Sequence, residues 1–303
     1  MSAVPQNTGQ LTDQGLADVL DHVAVVSSFP GRLFTTYESM GFTLSPVARH
    51  SGSVRPGAPT EPWGIGNRCA MFADGGYLEL LAVFDNNLFC RGFPERLANY
   101  EGLHIVAFEC ADATHAGEKL RDAGIEVQGI GCLERPVDTP EGTKLAQFSL
   151  VRVDPALIPE CHFNILQHRT PEHLWQPSLV DHANGARRLL SISVCSAEPP
   201  ATSARFQSML DAVPEKIDGI HRLSMRRGHV DFVTPDQLPE IGFVSPPPYL
   251  PFVASLSVLT PDLSQVERVL GANNLTYEKH GTAISLAPES AMGALVVFKE
   301  SFT

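Results

Sequence analysis

Two imidazoles and one carboxylate, each set in an otherwise apolar strand, are the side chains of this sequence best suited to chemistry. His22 lies in Leu20-Asp21-His22-Val23-Ala24-Val25-Val26, His104 in Leu103-His104-Ile105-Val106-Ala107-Phe108, and Glu79 between Leu78 and Leu80-Leu81. An ionised carboxylate in a buried strand is costly unless a cation, a metal or several donors compensate it. The competing reading is strand alternation that leaves Glu79 on a wet face. A lone His on an apolar strand is usually structural, but two at matching places in a repeat suggest a shared role. Two His and one carboxylate on separate strands form a ligand set for a non-haem divalent ion. Iron(II), manganese, zinc or nickel would fit, with water in the open positions.

The strands that must position these residues recur along the chain. After the His22 strand come a helix over 32–40 with Gly41 as its cap and a strand at 42–44. A Gly-, Pro- and Ser-rich loop over 45–66 follows, then strands at 69–72 and 77–83 around Asp74-Gly75-Gly76. The order restarts at Leu103, with a helix over 113–123 capped by Gly124 and a strand at 125–127. A long connection then leads to strands at 145–153 and 162–168. A third round runs from Leu189, with a helix near 201–212 and a strand at 228–233. The fourth starts at Val253, with a helix at 263–271 and strands at 276–279, 283–286 and 294–298. The expected fold is α+β: four βαβββ units in two paired modules, 1–168 and 188–303, with 169–187 as linker.

Laid on one another by their first strands, the units put His22, His104, Ser191 and Ser255 at one place. Glu79, Gln167, Asp231 and Val296 share another, so the candidate ligands fall in the first module. Laying Phe163-Asn164-Ile165-Leu166 on Leu78-Glu79-Leu80-Leu81 instead turns Asn164 inward, and a slip of one residue favours His168.

With 303 residues, 43% hydrophobic and 18% charged, the chain can bury two ordinary cores and belongs to the soluble globular class. A net charge of −12 without a basic run argues against nucleic acid. Residues 1–18 are polar, so no secretory signal is expected, and the apolar run 78–84 is too short to span a bilayer. Six scattered cysteines without a CxxC pair suit reduced thiols in a cytoplasm. His162, His168, His173 and His182 show no zinc spacing and are expected in surface or capping roles. Arg135 and Lys144 flank the long connection of the second unit, either solvated or facing an anionic substrate. Gly64-Ile65-Gly66 follows no strand and opens no helix, so it is no nucleotide fingerprint.

The repeated unit, the segment Gly66-Asn67-Arg68-Cys69-Ala70-Met71-Phe72 and the strand Gly76-Tyr77-Leu78-Glu79-Leu80-Leu81 resemble the vicinal oxygen chelate superfamily. Within it the glyoxalase-like branch is the most similar, and the resemblance spans nearly the whole chain. It implies that paired units curl into half-open sheets, and that His22, Glu79 and His104 ligate a divalent metal with Gln167 at the fourth place. Glu79 and Gln167 would then be the catalytic residues, and a small molecule with two neighbouring oxygens would chelate the metal, a Lewis acid for a developing enolate. Gln167 departs from the pattern, since related isomerases and extradiol dioxygenases carry Glu there. A carboxamide takes up no proton near neutral pH, so Glu79 or a metal-bound hydroxide would have to serve.

Three functions are compatible with this resemblance: a glyoxalase-like lyase or isomerase, an Fe(II)-dependent extradiol dioxygenase, and a metal-free drug-sequestering protein. The second would place its metal in the second module, where Ser191 and Ser255 stand. The third needs only a concave apolar pocket. The resemblance also suggests a homodimer, and the loop 45–66 is the candidate for a wall or lid over the pocket.

Overall fold

The computed structural model describes residues 15–52 and 59–300. The first unit consists of β1 (Val19–Ser27), α1 (Pro30–Ser39), β2 (Ala48–Gly52), β3 (Glu61–Met71) and β4 (Tyr77–Val83). A short helix α2 (Phe93–Leu97) leads to the second: β5 (Gly102–Glu109), α3 (Ala113–Asp122), β6 (Val127–Thr139), β7 (Gly142–Val153) and β8 (His162–His168). The third holds β9 (Arg188–Cys195), α4 (Pro199–Gln207), β10 (Val213–Ile217), β11 (Ile220–Ser224) and β12 (His229–Val233). The fourth holds β13 (Phe252–Leu259), α5 (Leu263–Ala272), β14 (Glu278–His280), β15 (Ala283–Leu286) and β16 (Leu295–Lys299).

In every unit the first strand runs parallel to the last, and the first strands of paired units meet antiparallel, β1 on β5 and β9 on β13. The result is two half-open sheets, β2-β3-β4-β1-β5-β8-β7-β6 and β10-β11-β12-β9-β13-β16-β15-β14, touching through the pair Val253–Leu103. The α+β reading of four βαβββ units is thus the observed fold.

The helices form where the sequence allows them to start and stop. Pro30 sits in the first turn of α1, and Gly41 follows the helix at φ +88°, a conformation costly for other residues. Asp112 and Asp262 cap α3 and α5, accepting backbone N–H bonds from Thr114 and Ser264. Apolar residues three and four apart, such as Leu263, Val266 and Leu270, turn each helix onto its sheet. The helix-covered faces of both sheets share one core, in which Val23 and Phe108 meet Ile192, Phe206 and Phe298. The opposite faces remain separate. In the second module that face is filled by Leu238, Phe243, Phe252 and Leu295.

Three segments depart from the sequence reading. Residues 42–44 are not a strand, and the loop 45–66 is largely occupied by β2 and the start of β3, with its residues 53–58 outside those described. The long connection of the second unit is the β6–β7 hairpin. A further hairpin, β10–β11, turns at Asp218-Gly219 with φ +50° and +87°. All three segments expose much of their length, so their sequences lack the apolar run that marks a buried strand. Between β8 and β9 the chain is pinned from within. His182 is buried, accepting at Nδ1 from the Thr43 N–H at 3.0 Å, with Nε2 2.9 Å from the Met71 carbonyl. Among the described residues no helix is long and apolar enough to cross a membrane.

Candidate active site

Against β5, strand β1 slips by one residue. Leu20 pairs with Phe108 and His22 with Ala107, which leaves Asp21 as the extra residue of a β-bulge. In a regular strand consecutive side chains point to opposite faces. The bulge lets Asp21 and His22 act together, with Asp21 Oδ2 2.6 Å from His22 Nδ1. The other carboxylate oxygen lies 3.0 Å from His168 Nε2. Gly76 makes room for the bulge: it sits at φ +77°, and a Cβ there would lie 2.6 Å from the Asp21 carbonyl oxygen.

The second module completes this arrangement. Arg227, in the turn before β12, reaches within 4.0 Å of Asp21 and 3.4 Å of Glu109, and its carbonyl accepts the Leu20 N–H. Burial works against the charge on fully buried Asp21, but His168 and His22 outweigh it and hold the carboxyl far below its usual range. Burial likewise opposes protonation of His168, and the Asp21 charge overcomes it and raises the imidazole above 6.5.

With Nδ1 held by Asp21, His22 turns Nε2 toward Glu79, 3.8 Å from Oε2, while its ring stacks on Tyr77 at 4.2 Å. The other Glu79 oxygen accepts from the Asn67 amide. Both side chains line a cavity of about 400 Å³ on the open face of the first sheet. His50, Arg91, Arg135, His162 and Asn164 line it too. Burial, aided by Arg135 and Arg91 and opposed by Glu79, lowers His50 to about 4. Burial and the charges of Arg91 and Arg96 push His162 down to about 3, so it accepts at Nε2 from the Arg91 guanidinium, 2.7 Å away.

Of the four expected metal ligands, the structure brings together two. His104 is the extra residue of a second bulge, because Ala24 pairs with Ile105 and Val25 with Leu103. Its ring stacks on Tyr100 at 4.1 Å and its Nε2 donates to the Tyr100 carbonyl at 2.9 Å. Ile105, which lines the cavity, stands where His22 stands in the first unit, and His104 is the counterpart of Asp21. Gln167 donates to the Ala111 carbonyl at 2.7 Å and accepts from the Ala113 N–H at 3.3 Å, tying β8 to the start of α3. The pair Ala107–Asn164 repeats Ala24–Glu79, so Asn164 faces the cavity in its place.

Members of the superfamily commonly use divalent metals. Here His104 and Gln167 are bonded elsewhere, and among the described residues no three His, Cys, Asp or Glu side chains are grouped to hold an ion. The residues present do not fit the expected four-ligand centre. In the second module, Ser191–His229 and Ser193–Asp231 repeat the pairs His22–Tyr77 and Ala24–Glu79. Asp231 is engaged there by Arg222 at 2.6 and 3.0 Å. Serines and apolar packing stand where a dioxygenase reading needs ligands.

Asp21, His50, Asn67, Arg91 and Arg227 are site residues that the sequence pattern did not mark, while His162 and His168 were expected in surface or capping roles, with His168 inward only in the slipped register. The strand His162-Phe-Asn-Ile-Leu-Gln-His168 did carry a signal: its polar residues at period two, His162, Asn164 and His168, all turn inward. Arg135, read as solvated or facing an anion, lines the cavity.

Paired βαβββ units curled into half-open sheets place the chain in the vicinal oxygen chelate superfamily. The model of the glyoxalase-like domain matches residues 20–210, and the chain belongs to that family. No curated protein sequence matches it. Among solved structures, a hypothetical protein from Staphylococcus aureus is similar at 14% identity and TM-score 0.57, covering 92% of this chain and 98% of that one. A xylose isomerase-like TIM barrel/4-hydroxyphenylpyruvate dioxygenase fusion protein is similar at 11% identity and TM-score 0.53, over 95% of this chain and 50% of that one. A mutant of 4-hydroxymandelate synthase from Streptomyces coelicolor gives 12% identity and TM-score 0.53, over 94% of both chains. At these identities the likeness is one of fold.

Proposed function

We propose that this chain is a glyoxalase-like enzyme of the lyase or isomerase type, moving a proton on a small molecule with two neighbouring oxygens. The observation that carries this reading is the Asp21–His22 pair, whose imidazole lines the cavity with Glu79 opposite Nε2 while Asp21 lies buried behind it. A carboxylate at 2.6 Å keeps the proton on Nδ1 and leaves Nε2 to exchange one with substrate. In the step proposed, a C–H bond beside a carbonyl breaks and its proton passes to His22 Nε2. The electron pair moves into the carbonyl, giving an enolate. Return of the proton to the former carbonyl carbon, with the hydroxyl proton passing from the neighbouring oxygen to the enolate oxygen, completes an isomerisation, whereas expulsion of a leaving group from the carbon next to the enolate completes a lysis. Asn67 holds Glu79 in place, and Glu79 favours the imidazolium formed in between. Of the expected metal donors only His22 and Glu79 converge, His104 and Gln167 being bonded elsewhere, so the proton transfer is carried by the side chains themselves. The six free thiols support a reducing, cytoplasmic setting.

Proton exchange tests the reading. A panel of 2-hydroxy ketones, 2-oxo aldehydes and 2-hydroxy acids is incubated with the protein in D₂O, and loss of the C–H signal is followed by NMR. At least one class is expected to exchange, and His22→Gln should slow it by roughly 10²- to 10⁴-fold, the usual contribution of a positioned acid–base group. Exchange at the parent rate in the variant would refute the role given to His22.

A further inference from the structure

Three guanidinium groups line the same cavity, in a protein whose net charge is −12. Arg91, Arg135 and Arg152 each lack a carboxylate within 4.0 Å among the described residues. Glu79, the carboxylate that acts on Arg91 electrostatically, is already engaged with Asn67 and faces His22. The hydrogen-bond partner of Arg91 is His162, an imidazole that accepts at Nε2 and supplies no negative charge. Arg91 and Arg135 are half-buried and Arg152 is exposed. Withdrawing a cation from water without a counter-charge is costly, so a cavity that partly buries two guanidinium groups favours an anion. Guanidinium forks match the planar, bidentate geometry of carboxylates and the oxygens of phosphate esters.

The other wall is apolar. Trp63 and Phe89 pack edge to face at 5.2 Å, Arg91 lies 6.0 Å from the Trp63 ring, and Phe148 stands on β7 across the cavity. Phe89 is 43% exposed, a large apolar surface left open at the rim.

We infer that the substrate is a small amphipathic anion, its carboxylate or phosphate ester seated on Arg91 and Arg135 and its carbon skeleton against Trp63, Phe89 and Phe148. Arg152, the more exposed of the three, draws the anion toward the mouth. This assignment rests on the cavity of the first module being the substrate site, and it makes the site selective for charge as well as shape.

Binding at equilibrium tests it without any turnover. The probes are 2-naphthoate, 2-naphthyl phosphate and the neutral 2-naphthamide, titrated by fluorescence at low and high salt. At least one anion should bind tenfold or more tightly than the amide, with a preference that falls as salt rises. Arg135→Gln and Arg91→Gln should each weaken the anion by about tenfold or more and leave the amide unchanged. Whichever anion binds more tightly identifies the headgroup. Equal affinity for anion and amide in the parent protein would overturn the proposal. So would undiminished anion binding in both variants. If the Arg91 or the Arg135 variant fails to fold, Arg152→Gln keeps the test open, since its exposed side chain is not part of the core; an unchanged salt dependence there counts against the proposal. His22→Gln separates this inference from the proton-transfer reading: anion binding should survive in it while exchange is lost.

Discussion

Replacing Asp21 by Asn probes the bulge of β1 with almost no change of volume. The carboxylate accepts at both oxygens, from His22 at 2.6 Å and from His168 at 3.0 Å. An amide accepts at one position and donates at the other, so one imidazole keeps a weaker bond as donor and the other must lose its bond or shift its ring proton to accept from the N–H₂. Hydrogen bonds to a charged group contribute about 1.5–3 kcal/mol each, and the neutral amide recovers part of the loss through cheaper burial. A destabilisation of about 2–4 kcal/mol follows. The depressed Asp21 carboxyl contributes stability that is present above its unfolded value of 3.8 and lost as pH falls through its folded value. The raised His168 contributes below 6.5 and loses its effect as pH rises through its folded value. The difference between parent and variant should therefore be largest between pH 3.8 and 6.5. If the amide N–H₂ faces His22, the ring proton moves to Nε2 and exchange falls by roughly 10²- to 10⁴-fold. Urea unfolding across pH, with unchanged slope m, reads the first effect, and D₂O exchange reads the second. A variant within about 0.5 kcal/mol of the parent at pH 5, the scale of an ordinary surface substitution, would refute the account of this network.

Three other outcomes are expected. His50, His104 and His162 are held neutral at about 4, about 4 and about 3 against 6.5 unfolded, mainly by burial, so the unfolded chain binds more protons below 6.5. Their joint contribution should decline from pH 6.5 toward 4, by up to ~1.4 kcal/mol per pH unit for each group, and a urea-derived stability profile that stays flat in the variant lacking the Asp21–His168 pair would contradict it. Gly76→Ala should destabilise by roughly 1–3 kcal/mol, because its Cβ meets the Asp21 carbonyl at 2.6 Å with φ at +77°; a melting temperature equal to the parent's would show that the bulge can shift. His104→Phe should lower stability by about 1–3 kcal/mol by leaving the Tyr100 carbonyl without its donor, and remove one proton from the acid profile, with exchange activity kept. Loss of exchange in a folded His104→Phe protein would return that residue to the site.

Much of the fold was legible because the first strand of each unit is buried on both faces and reads as a β-branched run. Gly41 and Gly124 marked helix ends for the same reason they occupy them, φ of +88° and +82°. The outer hairpins were less visible. The alternation in β6 is half polar, and although Asp218-Gly219 is a strong turn signal, the flanking β10 is exposed throughout. At the site, His22 and Glu79 were found because a charged or titratable group in an apolar strand is costly without a partner. His104 and Gln167 were misplaced by one structural event each. A bulge at His104 breaks the alternation on which the superposition relied, and the pairing of Asn164 with Ala107 sets β8 in the alternative register. Asp21 was hidden because neighbours in a regular strand face opposite ways. Arg227 comes from the other module, and no local pattern announces such a contact.

In the proposed site His22 offers Nε2 to the cavity because Asp21 holds the proton on Nδ1. Nitrogen-15 correlation spectra of the histidine side chains in metal-free and metal-supplemented protein measure this directly. The neutral His22 ring is expected to be the Nδ1–H tautomer, with an unprotonated Nε2 that is unaltered by added divalent metal at stoichiometric concentration. A neutral ring protonated at Nε2, or an Nε2 captured by stoichiometric metal, would contradict it.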